Sequence, residues 1–348
     1  MKTSNEASAL RQLLTKKVPL HVTLTTAALI LFGAFITNHY MVADASAQIK
    51  FSDKSSEGNC TPRVNMVRLH DFAYTHPIVL ADFPDESTTL QPLKQQLQSF
   101  INDKISSGQI QSASVYLRTF NDANWICIND GESYNPGSLM KVPLMLTFLK
   151  QSEISSSVLT KQIKYIGHNK LVPSQTYDPS ALIPGTSYTI KQLIYYTIVE
   201  SDNDATELLN KNVDTNAFKK VFTDLGLPAP FLQDRDYQIT AREYAKFFRV
   251  LYNAAYLNAT NSEYALELLT KSTFKKGIIK NLPPTLSVAH KFGEASTGTL
   301  KQLHETGIVF SDEKPYLLTI MVKGKRDEPL PGSISDISKF VYDQLGVH

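Results

Sequence analysis

Asn135-Pro136-Gly137-Ser138-Leu139-Met140-Lys141 places a serine and a lysine three residues apart, directly after a proline and a glycine. Pro136 and Gly137 interrupt regular structure, and the apolar run from Leu139 to Lys150 is long enough for a helix, so Ser138 should open that helix. Three residues are nearly one helical turn, which puts Ser138 and Lys141 on the same side. Unpaired N–H groups and the helix dipole favour negative charge developing there. A serine hydroxyl becomes a good nucleophile when a base takes its proton, and a desolvated lysine with a lowered pKa can be that base. Pro143 is compatible with this only in the first turn of the helix.

The pattern alone is unspecific. Ser-x-x-Lys recurs at Ser272-Thr273-Phe274-Lys275 and at Ser311-Asp312-Glu313-Lys314, the second of which reads as a turn. Two further motifs discriminate among the three. Ser201-Asp202-Asn203 opens the helical run Asp204 to Leu209 and supplies a second hydroxyl and an amide. Lys291-Phe292-Gly293 ends a strand-like run, adding a positive charge and a glycine past which a substrate backbone can approach. Ser272 cannot lead this series, because Ser-Asp-Asn precedes it.

The order Ser-x-x-Lys, Ser-Asp-Asn, Lys-x-Gly resembles that of class A β-lactamases and penicillin-binding proteins. The separations suit the resemblance: Ser201 is 63 positions after Ser138, and Lys291 is 88 positions after Asn203. The approach Ile183-Pro184-Gly185-Thr186-Ser187-Tyr188-Thr189-Ile190 is similar too, and the likeness covers about residues 85 to 347. It implies that Ser138 attacks a carbonyl, Lys141 orients or deprotonates it, and Ser201 relays a proton to the leaving nitrogen. Asn203 would bind a substrate amide and help fix Lys141. Lys291 would stabilise charge around Ser201 and a substrate carboxylate. The backbone N–H groups of Ser138 and Glu294, beside Gly293, would form the oxyanion hole, with no part for the Glu294 side chain. No metal and no cofactor is implied.

Two departures bear on function. Phe292 stands where the family usually has a hydroxyl residue, and Thr306 precedes Gly307 where many class A enzymes carry arginine, so little is left to hold a substrate carboxylate. His304-Glu305 is a candidate to substitute for the missing carboxylate contacts but reads rather as a surface pair at a strand start. Second, no Glu-x-x-Leu-Asn, the family's deacylating segment, occurs between Asn203 and Lys291. Asp234 and Asp236 lie in the corresponding short stretch as candidates to replace that base, though each reads rather as a loop carboxylate or a helix cap, and Glu243 falls in the next helix.

Outward from these motifs, strand patterns occur early (Ala113 to Phe120, Trp125 to Ile128) and late (Leu286 to Phe292, Gly307 to Phe310, Tyr316 to Val322). Helical patterns flank them, with Leu90, Leu93, Leu97, Phe100, Ile101 and Ile105 before and Ile334, Ile337, Phe340, Val341 and Leu345 after. Between lie helical runs at Ile190 to Ile198, Ala205 to Leu209, Ala241 to Tyr252 and Glu263 to Leu269. The fold class is therefore α+β: an antiparallel sheet built from both ends of the chain, flanked by helices, with an inserted all-helical lobe.

Val18 to Thr37 contains no Asp, Glu, Lys or Arg, and Arg11, Lys16 and Lys17 precede it while the next Lys or Arg is Lys50. That predicts a cytoplasmic segment 1–17, a transmembrane signal-anchor 18–40, a polar linker 41–84 and a catalytic domain 85–348 outside the membrane. Ala45-Ser46-Ala47 has the small residues of a cleavage site but lies far from the apolar run, which favours an uncleaved anchor. Cys60 and Cys127 are either one disulfide or two separate thiols. A net charge of +2 over 348 residues gives no reason to expect a nucleic-acid partner. The expected substrate is a small or peptidoglycan-derived amide. Three functions fit: a β-lactamase-like hydrolase, a D-Ala-D-Ala-type carboxypeptidase, and a tethered domain that acylates and stays acylated.

Overall fold

A computed structural model describes residues 64–346 except 71, 170–181, 232–235, 312–313 and 328. The expected anchor, Cys60 and Asp234 lie outside the described residues. Among the described residues no helix is long and apolar enough to cross a membrane.

The strands in chain order are β1 (Asn65–Arg68), β2 (Ile78–Asp82), β3 (Ser112–Thr119), β4 (Trp125–Ile128), β5 (Ser133–Tyr134), β6 (Gln162–Lys164), β7 (Ser187–Thr189), β8 (Ile239–Thr240), β9 (Ser287–Thr297), β10 (Leu300–Phe310) and β11 (Tyr316–Gly324). The helices are α1 (Gln91–Ser106), α2 (Lys141–Ser152), α3 (Ser157–Thr160), α4 (Ile190–Val199), α5 (Asn203–Asn210), α6 (Thr215–Asp224), α7 (Ala241–Tyr252), α8 (Ala259–Thr270) and α9 (Pro329–Leu345). Five strands form the main sheet in the order β4-β3-β11-β10-β9, antiparallel throughout. The two early strands join the three late ones along the β3–β11 pair, and β9 is an edge.

Period-two alternation divides the core. Ala113, Val115 and Leu117 of β3 join Leu97, Ile101, Ile334 and Ile337 of α1 and α9 on one face, while Tyr116 joins the helical side with Val142, Leu193 and Phe248. The inserted lobe is mostly helical, but the pairs β5-β8 and β6-β7 lie within the same span, a detail absent from the all-helical expectation. Helices α4 to α8 start on side-chain caps. Thr189 and Gln192 make a reciprocal capping box on α4, as do Thr240 and Glu243 on α7.

Within the segment expected to be linker, β1 and β2 pair as a hairpin, and Val79 and Leu80 enter the core. One carboxylate fastens it. Asp82 accepts from Arg118 at 2.6 Å and from Arg249 at 2.7 Å, tying β2 to β3 and α7. Both arginines are buried, so removing the acid leaves two uncompensated guanidinium groups. Asp82→Ala is expected to destabilise the fold by about 3 kcal/mol, lowering the midpoint by roughly 5–10 °C. Calorimetry checks this; an unchanged midpoint would assign the clamp no stabilising role.

The His304-Glu305 expectation needs correction. β10 begins at Leu300, so both residues lie mid-strand between β9 and β11 and are fully buried, on opposite faces. Glu305 contacts His290 at 2.6 Å and accepts from the Ile278 amide at 2.8 Å.

Candidate active site

Gly137 adopts φ +53°, a left-handed conformation suited to glycine, and sends the chain into a 3-10 turn, Gly137–Met140, before α2 begins at Lys141. Residues i and i+3 eclipse in such a turn, so Ser138 and Lys141 share a side more closely than in an α-helix. Pro143 sits in the first turn of α2, where its missing N–H leaves no helical bond unmade. Three elements hold the turn. Tyr244 of α7 donates its hydroxyl to Leu139 O at 2.8 Å. Gln302 Oε1 accepts from Asn135 N at 3.2 Å, and His304 Nε2 donates to Asn135 O at 3.1 Å. Burial pushes His304 down to about 3, so it stays a neutral imidazole.

Edge strand β9 lies against this turn with almost no clearance. A Cβ on Gly137 would overlap the Glu294 carbonyl, and one on Gly293 would come within 2.7 Å of Leu139 N. Two glycines therefore let the Glu294 backbone reach the start of the Ser138 turn. This is the approach an oxyanion hole from the Ser138 and Glu294 amides requires.

Ser201 occupies the bend between α4 and α5 at φ +53°, a strained conformation for a residue with a side chain. Its surroundings fix it. Asp202 N donates to Tyr196 O at 3.0 Å, the Asp202 side chain caps α5, and Thr273 donates both its amide and its hydroxyl to Val199 O. The bend turns its carbonyl and hydroxyl to Lys141, whose Nζ donates to Ser201 O at 2.6 Å, Ser201 Oγ at 3.1 Å and Asn203 Oδ1 at 2.8 Å. From β9, Lys291 Nζ reaches the same Ser201 Oγ at 2.9 Å.

Both lysines are buried. Desolvation lowers Lys141 to about 7, against the opposing pull of the Asp202 and Glu294 carboxylates. Lys291 is pushed well down by desolvation and by the Lys141 ammonium. Phe292 projects to the opposite face, where it stacks on Phe274 with centroids 4.1 Å apart. The Lys291 ammonium lies 4.2 Å from its ring centroid.

Ser138, Lys141, Ser201, Asn203, Lys291, Gly293 and Glu294 thus meet where the 3-10 turn, the α4–α5 bend and β9 converge. The other two Ser-x-x-Lys sequences do not join them through their serines. Ser272 is buried with its hydroxyl unpartnered, behind the bend that Thr273 braces, and Ser311 lies in the β10–β11 turn. Asp236 is exposed in the segment before β8. Gly137, Tyr244, Gln302 and His304 were not foreseen as supports of the site.

The model of the β-lactamase enzyme family matches residues 92–345, more than half of the chain. The chain belongs to this β-lactamase family. Among characterised relatives, Beta-lactamase VEB-1 of Pseudomonas aeruginosa is 24% identical over 246 residues, covering 64% of this chain and 82% of that protein. Among solved structures, PBP-A superposes with a TM-score of 0.63 at 18% identity over 76% of this chain and 98% of that one. A β-lactamase from Sphaerobacter thermophilus gives 0.64 at 19% identity, over 73% and 97%. As a member of the β-lactamase family, the chain carries the five-stranded antiparallel sheet with helices on both faces.

Proposed function

We propose that this protein is a serine hydrolase that forms an acyl-enzyme on Ser138 from β-lactam or related amide substrates. The observation that carries the proposal is the buried Lys141 ammonium, lowered to about 7 and hydrogen-bonded to both Ser201 and Asn203. In this scheme neutral Lys141 takes the Ser138 hydroxyl proton as Oγ attacks the carbonyl carbon. The amides of Ser138 and Glu294 hold the oxyanion. Ser201 passes its proton to the leaving nitrogen as the C–N bond breaks and takes one back from the Lys141 ammonium, 3.1 Å from its Oγ, while Lys291 balances the charge. The ester left on Ser138 is released by water. A variant of PBP-A was solved as an acyl-enzyme complex with penicillin G, which supports the same chemistry on this fold.

The test is to incubate the full chain, in detergent, with a penicillin and follow its mass. An adduct on Ser138, transient or lasting, supports the proposal; a mass that never changes overturns it. A lasting adduct is common to a slowly deacylating hydrolase and to the second reading, a peptidoglycan carboxypeptidase-type enzyme or a tethered penicillin-binding sensor. The absence of a family-type glutamate before β8 is what keeps that reading open.

The pH dependence has a definite sign. Below about pH 7 Lys141 is protonated and cannot accept the serine proton. The acylation rate constant is therefore expected to rise through about pH 7 and level off above it. Stopped-flow labelling across pH measures this, and a rate independent of pH through neutrality would remove Lys141 from the role of base.

We also propose an extracytoplasmic catalytic domain held by the N-terminal anchor, on the charge asymmetry around Val18 to Thr37. A reporter fused after Asn59 should be active only outside the membrane; activity of a cytoplasm-only reporter there contradicts it.

A further inference from the structure

Exposed large apolar and aromatic side chains are concentrated at one place. Of the eleven among the described residues, six fall between Val64 and Phe83, the span of the β1–β2 hairpin. The register of the hairpin puts them there. Val67 pairs with Leu80 on the inner face, where Leu80 is buried and Val67 packs on the core. Beyond Val67 the register slips by one residue, so Arg68 pairs with Ile78 and the buried Val79 is left as a bulge. That slip carries Ile78 to the face opposite Leu80. The outer face is then Met66 beside Ala81 and Arg68 beside Ile78, all exposed. Phe72 and Tyr74 stand exposed at the tip, Tyr74 at 96%.

The outer face cannot turn inward, because Val79, Leu80 and the Asp82 clamp on Arg118 and Arg249 hold the inner one against the domain. A clustered apolar surface of this kind marks a contact. Six side chains fall well short of the roughly 20–30 residues a side that a stable protein pair uses. They suffice for a membrane interface, where a few aromatic and aliphatic side chains enter at headgroup level. Arg68 on the same face donates to His76 O at 2.6 Å, and its positive charge suits headgroup phosphates. The path of the chain brings the bilayer within reach. The expected anchor ends at Tyr40 and the described chain begins at Val64, so the 23 residues 41–63 join them. Fully extended they span at most roughly 80 Å. Such a tether makes contact with the bilayer intramolecular, so that even a weak surface is occupied.

We infer that the outer face and tip of the β1–β2 hairpin dock on the bilayer that holds the anchor, with Met66, Phe72, Tyr74 and Ile78 entering its headgroup region. The inference rests on the N-terminal anchor proposed above and is independent of the acyl-enzyme. Apolar burial drives the contact, so a zwitterionic lipid is enough.

Depth-sensitive fluorescence tests it. The chain has one tryptophan, the buried Trp125, so a second indole on the surface can be read against that background. Tyr74→Trp, and as control Ile154→Trp at a 91% exposed position after α2, are made in the full chain. Each is reconstituted into phosphatidylcholine vesicles with plain or brominated acyl chains, and flotation confirms that the chain stays with the lipid. The added fluorescence of Tyr74→Trp is expected to be largely lost in brominated vesicles, and that of Ile154→Trp to be kept. Adding Met66→Ser and Ile78→Ser to Tyr74→Trp should restore most of the lost signal, with the circular dichroism of the parent. If the chain floats but the two positions are quenched equally, or neither is, the docking is overturned while the anchor stands. If the indole at 74 is unquenched and Tyr74→Cys cross-links two chains, the face serves a second copy instead. If the chain does not float, the anchor falls and the docking with it.

Discussion

Ser138→Ala is expected to abolish labelling of the full chain by a fluorescent penicillin, while Ser272→Ala leaves labelling intact. The two serines share the Ser-x-x-Lys pattern but not its setting. Ser138 sits on a turn against which the Glu294 backbone is pressed, one turn before a lysine buried among Ser201 and Asn203. Ser272 is buried with an unpartnered hydroxyl, and Lys275 is exposed. Truncating Ser272 removes an unsatisfied polar group, so its variant should fold at least as well as the parent. Lys141→Ala should slow labelling by about 10²- to 10⁴-fold, the usual worth of a positioned base. Circular dichroism of each variant separates loss of chemistry from loss of fold. Loss of labelling in Ser272→Ala alone would overturn the motif assignment.

The parts legible in the sequence were those with local or ordered signals. The stretches Leu90 to Ile105, Trp125 to Ile128 and Ala241 to Tyr252 show their period or bounding turns directly, and the structure places α1, β4 and α7 there. The three motifs were found by order, and the structure brings them to one hydroxyl, Ser201 Oγ. A helix at Thr215–Asp224 went unseen although its signal is local: Asp214 caps it and Phe218, Val221 and Phe222 line one face. The β1–β2 hairpin had no such signal. Its residues alternate poorly, and what fixes it is Asp82 meeting Arg118 and Arg249 across the fold. Gly137 likewise reads as a chain breaker, and only the approach of β9 shows that a side chain there would strike Glu294. His304 was misplaced because β10 begins seven residues before Gly307, where the pattern had suggested a start. Long-range contact, not propensity, decides the hairpin, the Gly137 turn and the place of His304.

Deacylation is expected to be slow: a penicillin should leave an adduct on Ser138 that outlasts the one on an efficient β-lactamase by about 10²- to 10⁴-fold. In the proposed scheme Lys141 is the base for acylation, but hydrolysis of the ester needs a base on a water at its open face. The family's glutamate segment is absent before β8. Glu243, the nearest glutamate that follows, is held in the α7 capping box, its Oε2 accepting from Thr240 N at 2.9 Å. Pairing of Thr240 with Ser133 and of Ile239 with Tyr134 fixes the end of the loop just before the Ser138 turn. Tyr237 is anchored by its hydroxyl to Pro228 O at 3.0 Å, and Asp236 beside it is exposed. An exposed carboxylate keeps its water shell and is poorly placed to activate one water in a closed site. The oxyanion amides remain, so release is slowed rather than prevented. Pre-steady-state mass spectrometry of the full chain, with Asp234→Asn and Asp236→Asn beside the parent, measures adduct lifetime. A lasting adduct of equal lifetime in all three is the expected outcome. Rapid turnover with no detectable adduct in the parent contradicts it, and if one of the two variants then accumulated adduct, that aspartate would be the base that replaces the glutamate.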